Sequence, residues 1–465
     1  MPNYHCYCCL SIIFYVAIIS TACSPNLKFH RQVDDSLAKS DYKSAIRLVE
    51  ENKDTYKERN AVLYYMDVGI LSHYGKEYEK SRERLTESEK LIDNLFTISI
   101  VNEVSAFIVN DNLIPYRGED FERVMINLFQ AFNYLQLGKV DDALVEARKV
   151  DEKLALINSK YDQDKKNIYK EDAFVRYLMG ILYEIGGTRE DINDAYISYK
   201  KAEEIYNNDY KQNYGVSAPN YLAEDILTTA KYMGMEEYTR AQERYPSVKF
   251  VTLNEKKKKT EVFFIHFNGK IPEKQEDAVF IPILPYDYIM KIAFPKYVER
   301  PFGIVNSRIK LTGIDISQSV SINTMSGENI KSIAIKNLDN RKARIIAKAT
   351  ARALLKYGIT EGTSRALAKK GNKNNNYSGK NEDDVRALTK FVMNIFGMVT
   401  EKADTRTCMV LPAEIRIAKA LIEPGNYDLK AECLSNEGAL IKKIALGNFT
   451  FKAGDKRFVF FRTVE

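Results

Sequence analysis

Histidine is scarce in this chain, with four residues in 465. None of them stands in His-Glu-x-x-His or Cys/His spacing, so a zinc site has no ligand set to build on. The sequence also lacks a Walker loop, a Gly-x-Ser-x-Gly nucleophile elbow and a dinucleotide glycine cluster, which removes the usual carriers of nucleotide, acyl-transfer and hydride chemistry. No cofactor and no metal is implied, and no catalytic residue declares itself. Long apolar runs are missing as well. Leu10 to Ile19 spans ten residues, well short of the roughly 20 that a membrane-crossing helix needs, and no later segment is longer. Residues 1–22 contain neither Lys nor Arg, so the usual positive start of an export signal is reduced to the terminal amine and His5.

What is present begins with Cys23. It follows Ser20, Thr21 and Ala22, the small residues that a lipoprotein signal peptidase accepts. Residues 1–22 read as a removable lipoprotein signal and Cys23 as the lipidated first residue of the mature chain. The alternative is a plain secretory cut near Ala22 that leaves Cys23 unmodified. The distinction matters physically: each buried acyl CH₂ contributes about 0.8 kcal/mol, one chain binds marginally, and several chains such as palmitate on one residue hold the protein on the membrane. Ser24, by resemblance to the lipoproteins of double-membraned bacteria, where Asp there signals retention, directs the anchor to the outer membrane, facing the periplasm. Cys6, Cys8 and Cys9 leave with the signal, and only Cys408 and Cys433 remain. A bridge between them would close a loop of about 25 residues, for roughly 3 kcal/mol on the chain-entropy model; two free buried thiols fit equally well.

Charge divides the chain in two. Residues 1–245 hold 31 Lys and Arg against 40 Asp and Glu, a balance of −9, whereas residues 246–465 hold 38 against 23, a balance of +15. The basic half suits anionic material, which outside the cytoplasm means head groups or envelope polymers and not nucleic acid; an ordinary solvated basic surface is the alternative.

From Leu27 to about Tyr245 one pattern recurs: a helix with a small residue near its middle, a turn, then a helix with Ala or Ser three residues after its first aromatic or branched residue. The clearest unit runs from Asn127 to Val150, with Ala131 and Tyr134 before Gly138, and Val140, Ala143, Ala147 and Val150 after it. Tyr65 and Gly69 precede Tyr78, Ser81, Leu85 and Ser88 in the same register, and Gly180 and Tyr183 precede Ile192, Ala195, Tyr199 and Ala202. Tyr42, Ala45 and Val49 form a shorter version. The pattern resembles the tetratricopeptide repeat, although 62 residues separate Ser81 from Ala143 and 52 separate Ala143 from Ala195, against about 34 in an ideal array. Leu95 to Leu113 is expected as an inserted helix ending at the Ile114-Pro115-Tyr116 break. Stacked helix pairs offer a concave face to protein segments, and Tyr65, Tyr134, Tyr177 and Tyr183 are candidates to line it, or else packing residues with satisfied hydroxyls.

After Tyr245 the pattern becomes β-prone. Strands are expected at Lys249–Leu253, Glu261–Phe267, Val279–Ile283, Tyr288–Phe294, Ser307–Leu311, Ile415–Ala418, Tyr427–Cys433, Ile441–Phe451 and Arg457–Thr463. The Lys256–Lys259 run reads as a solvated hairpin tip, and Asn268-Gly269 as a tight turn. A helical interlude, Asn340–Tyr357 and Asp383–Val399, is joined by the polar tract 371–380. Its first helix carries Arg341, Lys342, Arg344, Lys348 and Arg352 beside an apolar strip of Ile345, Ile346, Ala349, Ala353 and Leu354, suited to packing on the sheet and less to an anionic bilayer. The fold expected is α+β: residues 23–245 an α-solenoid of tetratricopeptide-like helix pairs, residues 246–465 a β-sandwich-like domain with an inserted helical hairpin at about 340–400.

The segments Tyr65-Met66-Asp67-Val68-Gly69, Pro115 to Arg123, Ala403-Asp404-Thr405-Arg406 and Leu411-Pro412-Ala413-Glu414-Ile415 resemble a group of uncharacterised bacterial envelope lipoproteins with tetratricopeptide-like N-terminal halves and β-rich C-terminal halves. Where that group carries an aromatic residue, this chain has Cys408. The resemblance implies location and architecture, not a reaction. Arg117, Glu119, Asp120, Glu122 and Arg123 form the one dense polar cluster. After Pro115 and Gly118 it reads as a helix start, with acids at the positive end of the dipole and Arg tying down the loop; carboxylates working as acid and base on a glycan are the alternative. Asp404 and Arg406 are expected to pair. The function these features point to is a membrane-tethered periplasmic scaffold that binds protein partners in envelope assembly, secretion or cell-wall synthesis.

Overall fold

The computed structural model describes residues 25–98, 111–159, 168–283, 288–373 and 382–465. Residues 1–22, Cys23, most of the expected insertion at 95–113 and most of the tract at 371–380 lie outside the described residues.

The first half is built from consecutive helices: α1 (Pro25–Ala38), α2 (Tyr42–Glu51), α3 (Ala61–Tyr74), α4 (Tyr78–Ile98), α5 (Asp120–Gln136), α6 (Val140–Ser159), α7 (Ala173–Gly186), α8 (Arg189–Ile205), α9 (Asn220–Met233) and α10 (Met235–Arg244). Their starts are written locally. Asp41 accepts from Ser44 N at 3.1 Å, Asp172 from Val175 N at 2.8 Å, and Thr188 and Asp191 form a capping box. The small residues sit where helices cross: a Cβ on Gly69 would lie 2.7 Å from Leu85, and one on Gly180 would fall on the Tyr199 ring. These crossings make α3–α4, α5–α6 and α7–α8 helix pairs that resemble tetratricopeptide repeats. Gly138, at φ +72°, turns α5 into α6.

The second half has two four-stranded sheets. In the first the order is β10 (Lys456–Thr463), β1 (Thr260–Asn268), β7 (Glu414–Ile422), β6 (Met325–Glu328); β1 runs parallel to β10 and antiparallel to β7. In the second it is β5 (Ser319–Asn323), β4 (Asn306–Gly313), β8 (Gly425–Leu434), β9 (Leu440–Phe451), all antiparallel. Val262, Phe264, Val459 and Phe461 of the first sheet share a core with Ile309, Leu311, Leu429 and Ala431 of the second, which makes the pair a sandwich.

The first sheet is covered on its other face too. All nine residues of β1 are buried, and Phe263, Ile265 and Phe267 join a core that runs on through the helices. Phe267 stacks on Phe129 at 5.2 Å, and Phe460 meets His73 at 5.2 Å and Phe132 at 5.0 Å. The order of layers is helices, sheet, sheet. This explains α3, in which nearly every residue from Val62 to Tyr74 is buried, and α5, buried from Asp120 to Asn133. α3 is apolar nearly all round, as an interior helix must be, whereas α5 buries Glu122, Asn127, Gln130 and Asn133 with hydrogen-bond partners. The face that the first helices of the pairs share is filled by the chain's own sheet.

A third unit stands apart from the sandwich. β2 (Glu273–Ile283) and β3 (Tyr288–Val298) form a hairpin, and α11 (Ile330–Lys373) and α12 (Glu382–Thr400), inserted between β6 and β7, pack on β3. Ala349 and Ala353 lie against Tyr288, Met290 and Ile292, so the basic helix does pack on a sheet of its own. Leu354, expected in that strip, points outward instead and is 51% exposed.

Several expectations need correction. The inserted helix begins at Ile330, ten residues before Asn340. Lys249–Leu253 is not a strand; it leads into a helical turn, Leu253–Lys256, capped by Thr252 and Glu255. That turn carries Lys256 inward, so the Lys256–Lys259 run is not a solvated hairpin tip throughout. β5 and β6 were not anticipated, because both are short and polar. Cys408 and Cys433 are free and buried, Cys408 in the helix-facing core and Cys433 on β8. Among the described residues no helix is long and apolar enough to cross a membrane.

Candidate functional site

The capped turn before β1 aims Lys256 at the seam between the helices and the first sheet. Its Nζ donates to Glu184 Oε1 at 3.0 Å and Asp225 Oδ1 at 2.8 Å, and lies 3.0 Å from Glu261. Glu184 ends α7, Asp225 lies on α9 and Glu261 is the second residue of β1. In the parallel register Glu261 stands opposite Lys456, whose Nζ reaches Glu184 at 2.8 Å and also meets Glu261. Lys419, paired with Phe263 on β7, completes the ring with Asp225 and, at 3.2 Å, Glu261. Tyr199 donates to Glu184 at 2.9 Å and Tyr177 to Asp225 at 2.9 Å. Three carboxylates and three ammonium groups, none with more than 11% of its side chain exposed, form a cage of zero formal charge.

Electrostatics follow from that enclosure. Burial alone would raise the carboxyls, yet Lys256 and Lys456 hold Glu184 well below the ordinary carboxylate range, and Lys256 and Lys419 hold Asp225 down as well. Lys256 is pushed up, because Asp225 and Glu184 outweigh its burial. Lys419 and Lys456 are pulled down, first by burial and then by repulsion from Lys256.

Glu184, Lys256, Glu261 and Lys456 of the cage line the floor of a cleft of about 390 Å³. Leu135, Val140, Ile185, Ile192, Leu253 and Phe458 provide apolar walls. Gln136, also in the lining, donates to the backbone oxygen of Phe458 at 3.0 Å. β10, which borders the cleft, is an edge strand of its sheet. A concave, mostly apolar pocket with a few fixed polar groups is the usual form of a binding site.

The tyrosines singled out from the sequence do not converge there. Tyr177 is completely enclosed and spends its hydroxyl on Asp225, which removes it from any surface groove. Tyr65 is half-buried against Tyr64, Tyr134 half-buried on the core, and Tyr183 accepts from Arg148 Nε at 2.9 Å.

The 117–123 cluster is a helix start. Glu119 and Glu122 form the capping box of α5 after Gly118 at φ +75°, and Arg123 pairs with Asp120 at 3.5 Å. Arg117 lies in the segment leading to that cap. Glu119 binds Lys274 and Arg341, which override its burial and keep it ionised, and it borders a smaller cavity of about 130 Å³. Glu122 accepts from Tyr116 Oη, Glu119 N at 2.9 Å, Thr407 Oγ1 at 2.8 Å and Cys408 N at 2.7 Å. All four of its lone-pair positions are taken, which leaves none for a substrate. Nearby, Asp67 accepts from Tyr56 at 2.7 Å and Cys408 at 3.2 Å, and burial pushes it up to about 7. Asp404 and Arg406 do pair, at 2.7 Å.

The charge split now has an internal use. The ion pairs described between the halves run one way, acid on the helical side and base on the other: Glu184 and Asp225 with the three lysines, Glu119 with Lys274 and Arg341, Asp34 with Lys270 and Arg300. Part of the basic excess therefore faces inward. The signal that would have revealed the cage was a charge inside an apolar strand: Glu261 before Val262-Phe263-Phe264, and Lys419 between Ala418 and Ala420.

No family model matches this chain, and no curated protein matches it. Among solved structures, BtubC (BKLC) from P. vanneervenii aligns at TM-score 0.28 and 15% identity, over 46% of this chain and 75% of that one. MamA AMB-1 aligns at 0.27 and 16%, over 49% and 96%. The Rap conjugation gene regulator of plasmid pLS20 aligns at 0.27 and 15% over 46% of this chain, which spans half the length of that protein. At such scores the likeness carries no argument about function.

Proposed function

We propose that this protein is a membrane-tethered scaffold that holds an extended segment of a protein partner in the cleft beside β10, with lipid on Cys23 confining the complex to the periplasmic face of the outer membrane. One observation supports the reading above the others: the cleft joins apolar walls, a rigid charged floor and the edge of a sheet. A strand laid along β10 would gain main-chain hydrogen bonds from the edge and seat alternate side chains against Leu135, Ile192 and Phe458. The cage serves by fixing the helices against the sheet, so that the cleft is preformed and binding costs little ordering. Tethering raises the effective concentration of whatever the cleft holds. Envelope assembly, secretion or cell-wall synthesis is the kind of process such a tether serves.

Photo-crosslinking residues placed at Tyr232 and Lys257, which line the cleft, should trap one discrete adduct in intact cells that is missing when the same group replaces Val145 on α6. Equal adducts at all three positions, or none at the cleft, would contradict the reading. Mass spectrometry of the mature protein should find an acylated Cys23 as its amino-terminal residue; an unacylated amino terminus would contradict the lipid anchor.

A further inference from the structure

α12 leaves Leu388, Phe391, Val392, Phe396 and Val399 exposed, four of them by more than half: Phe396 61%, Leu388 58%, Val392 55% and Val399 54%. Their spacing places them on one stripe of the helix, and no charged residue falls between Lys390 and Glu401. On α11 the exposed positions Ala347, Ala351, Gly358 and Gly362 accompany Leu354, Leu355 and Ile359, again without a charge among them. Nothing lies within 4 Å of where a Cβ on Gly358 or Gly362 would stand. Both helices pack on β3, so their outward stripes face away from the same sheet. Single exposed apolar residues are ordinary; a stripe on each of two neighbouring helices marks an interaction surface.

Charge selects the occupant. α11 and α12 together hold 14 Lys and Arg against five Asp and Glu. Arg344 and Lys348 are exposed at one end of the α11 stripe, and Arg365 at the other. A second copy of the chain would bring one strongly positive hairpin against another. An anionic bilayer would meet the apolar stripe with acyl chains and the basic ends with head groups, which is how amphipathic helices lie in an interface. We propose that the α11–α12 hairpin docks flat on an anionic phospholipid surface, with the α12 stripe at the acyl boundary and Arg344, Lys348 and Arg365 at head-group level. Neither helix is long and apolar enough to cross the membrane, so the hairpin lies on it. The inference is independent of the cleft and of lipid on Cys23.

The chain contains no Trp, so Phe396→Trp in the full protein installs a single indole at the centre of the stripe. Added vesicles containing phosphatidylglycerol should shift its emission to the blue, and brominated acyl chains should quench most of it. Phosphatidylcholine vesicles should leave it unshifted, and Arg344→Glu with Lys348→Glu should abolish the response. A Trp at Val145, 49% exposed on α6, should stay unquenched throughout. Emission that ignores anionic vesicles, or quenching shared with the Val145 position, would overturn the proposal. So would equal quenching by phosphatidylcholine, or a blue shift that grows with protein concentration without lipid, the mark of a second copy on this face.

Discussion

The first sheet meets the helices at two ends, and the two ends solve the burial of acids differently. Beside β10, Glu184, Asp225 and Glu261 meet three lysines, which hold Glu184 and Asp225 below the ordinary carboxylate range. Beside β6, Glu328 and Asp172 meet phenols: Tyr210 donates to Glu328 at 3.2 Å and Tyr169 to Asp172 at 2.6 Å. Burial raises Asp172, and burial together with Asp172 raises Glu328 well above the usual range. The same residue type, equally enclosed, is thus driven in opposite directions by what faces it. A lysine cage sets position at a cost in desolvation that its own pairing offsets; a tyrosine cage favours the neutral form of its acids and loses stability as they ionise.

Five changes would test that contrast, the largest expected effect first and the smallest last. Lys256→Met leaves three buried carboxylates to two lysines and should cost about 3–5 kcal/mol in urea unfolding. Tyr210→Phe removes one hydroxyl from an acid whose burial favours the neutral form and should cost about 1 kcal/mol; equal losses for the two would erase the difference between the ends. Next comes pH. Groups raised in the folded state, Glu328, Asp172 and Asp67, contribute stability that is complete below their unfolded pKa of about 4 and is lost as pH rises through the folded value, about 7 for Asp67. Glu184 and Asp225, lowered by lysine, contribute stability present above about 4 and lost only in stronger acid. Between pH 5 and pH 8 these raised acids therefore draw stability down by about a few kcal/mol, against the buried His73 and His266, whose lowered values draw it up as pH rises toward 6.5. Glu328→Gln should be near neutral at pH 5 and should stabilise relative to the parent at pH 8, by about 1–3 kcal/mol, flattening the curve; an unchanged slope would mean that this acid is not held neutral. Smallest of all, Lys257→Ala, beside Lys256 in sequence but exposed, should fall within about 0.5 kcal/mol of the parent.

Much of the helical half could be read from residues. Gly69, Gly138 and Gly180 marked crossings and a turn that the structure contains, and Pro115, Gly118, Glu119 and Asp120 marked a helix start. Those signals are local, a few residues apart. The seam was not legible for the opposite reason: Lys456 pairs with Glu261 across nearly the whole second half, and no spacing within a strand announces a parallel partner so distant. The Lys256–Lys259 run looked solvated because four lysines in a row normally are; the Thr252 cap that turns the first of them inward becomes decisive only once Glu184 and Asp225 are seen opposite. Two cues pointed the right way. β1 is apolar on both faces and α3 on all sides, and such elements need a cover on every side. That cover is why Tyr177, a fair guess for an open groove, is sealed beneath Asp225.

The helical array is completed by the chain's own sheet and is not left as an open solenoid. Expressing residues 25–245 alone and following thermal unfolding by circular dichroism tests this directly. The prediction is a chain without a cooperative transition, because His73, Phe129 and Phe132 lose Phe267 and Phe460, with cooperative unfolding restored when residues 246–465 are supplied. A fragment that melts sharply on its own, with the helix content expected of α1 to α10, would contradict it.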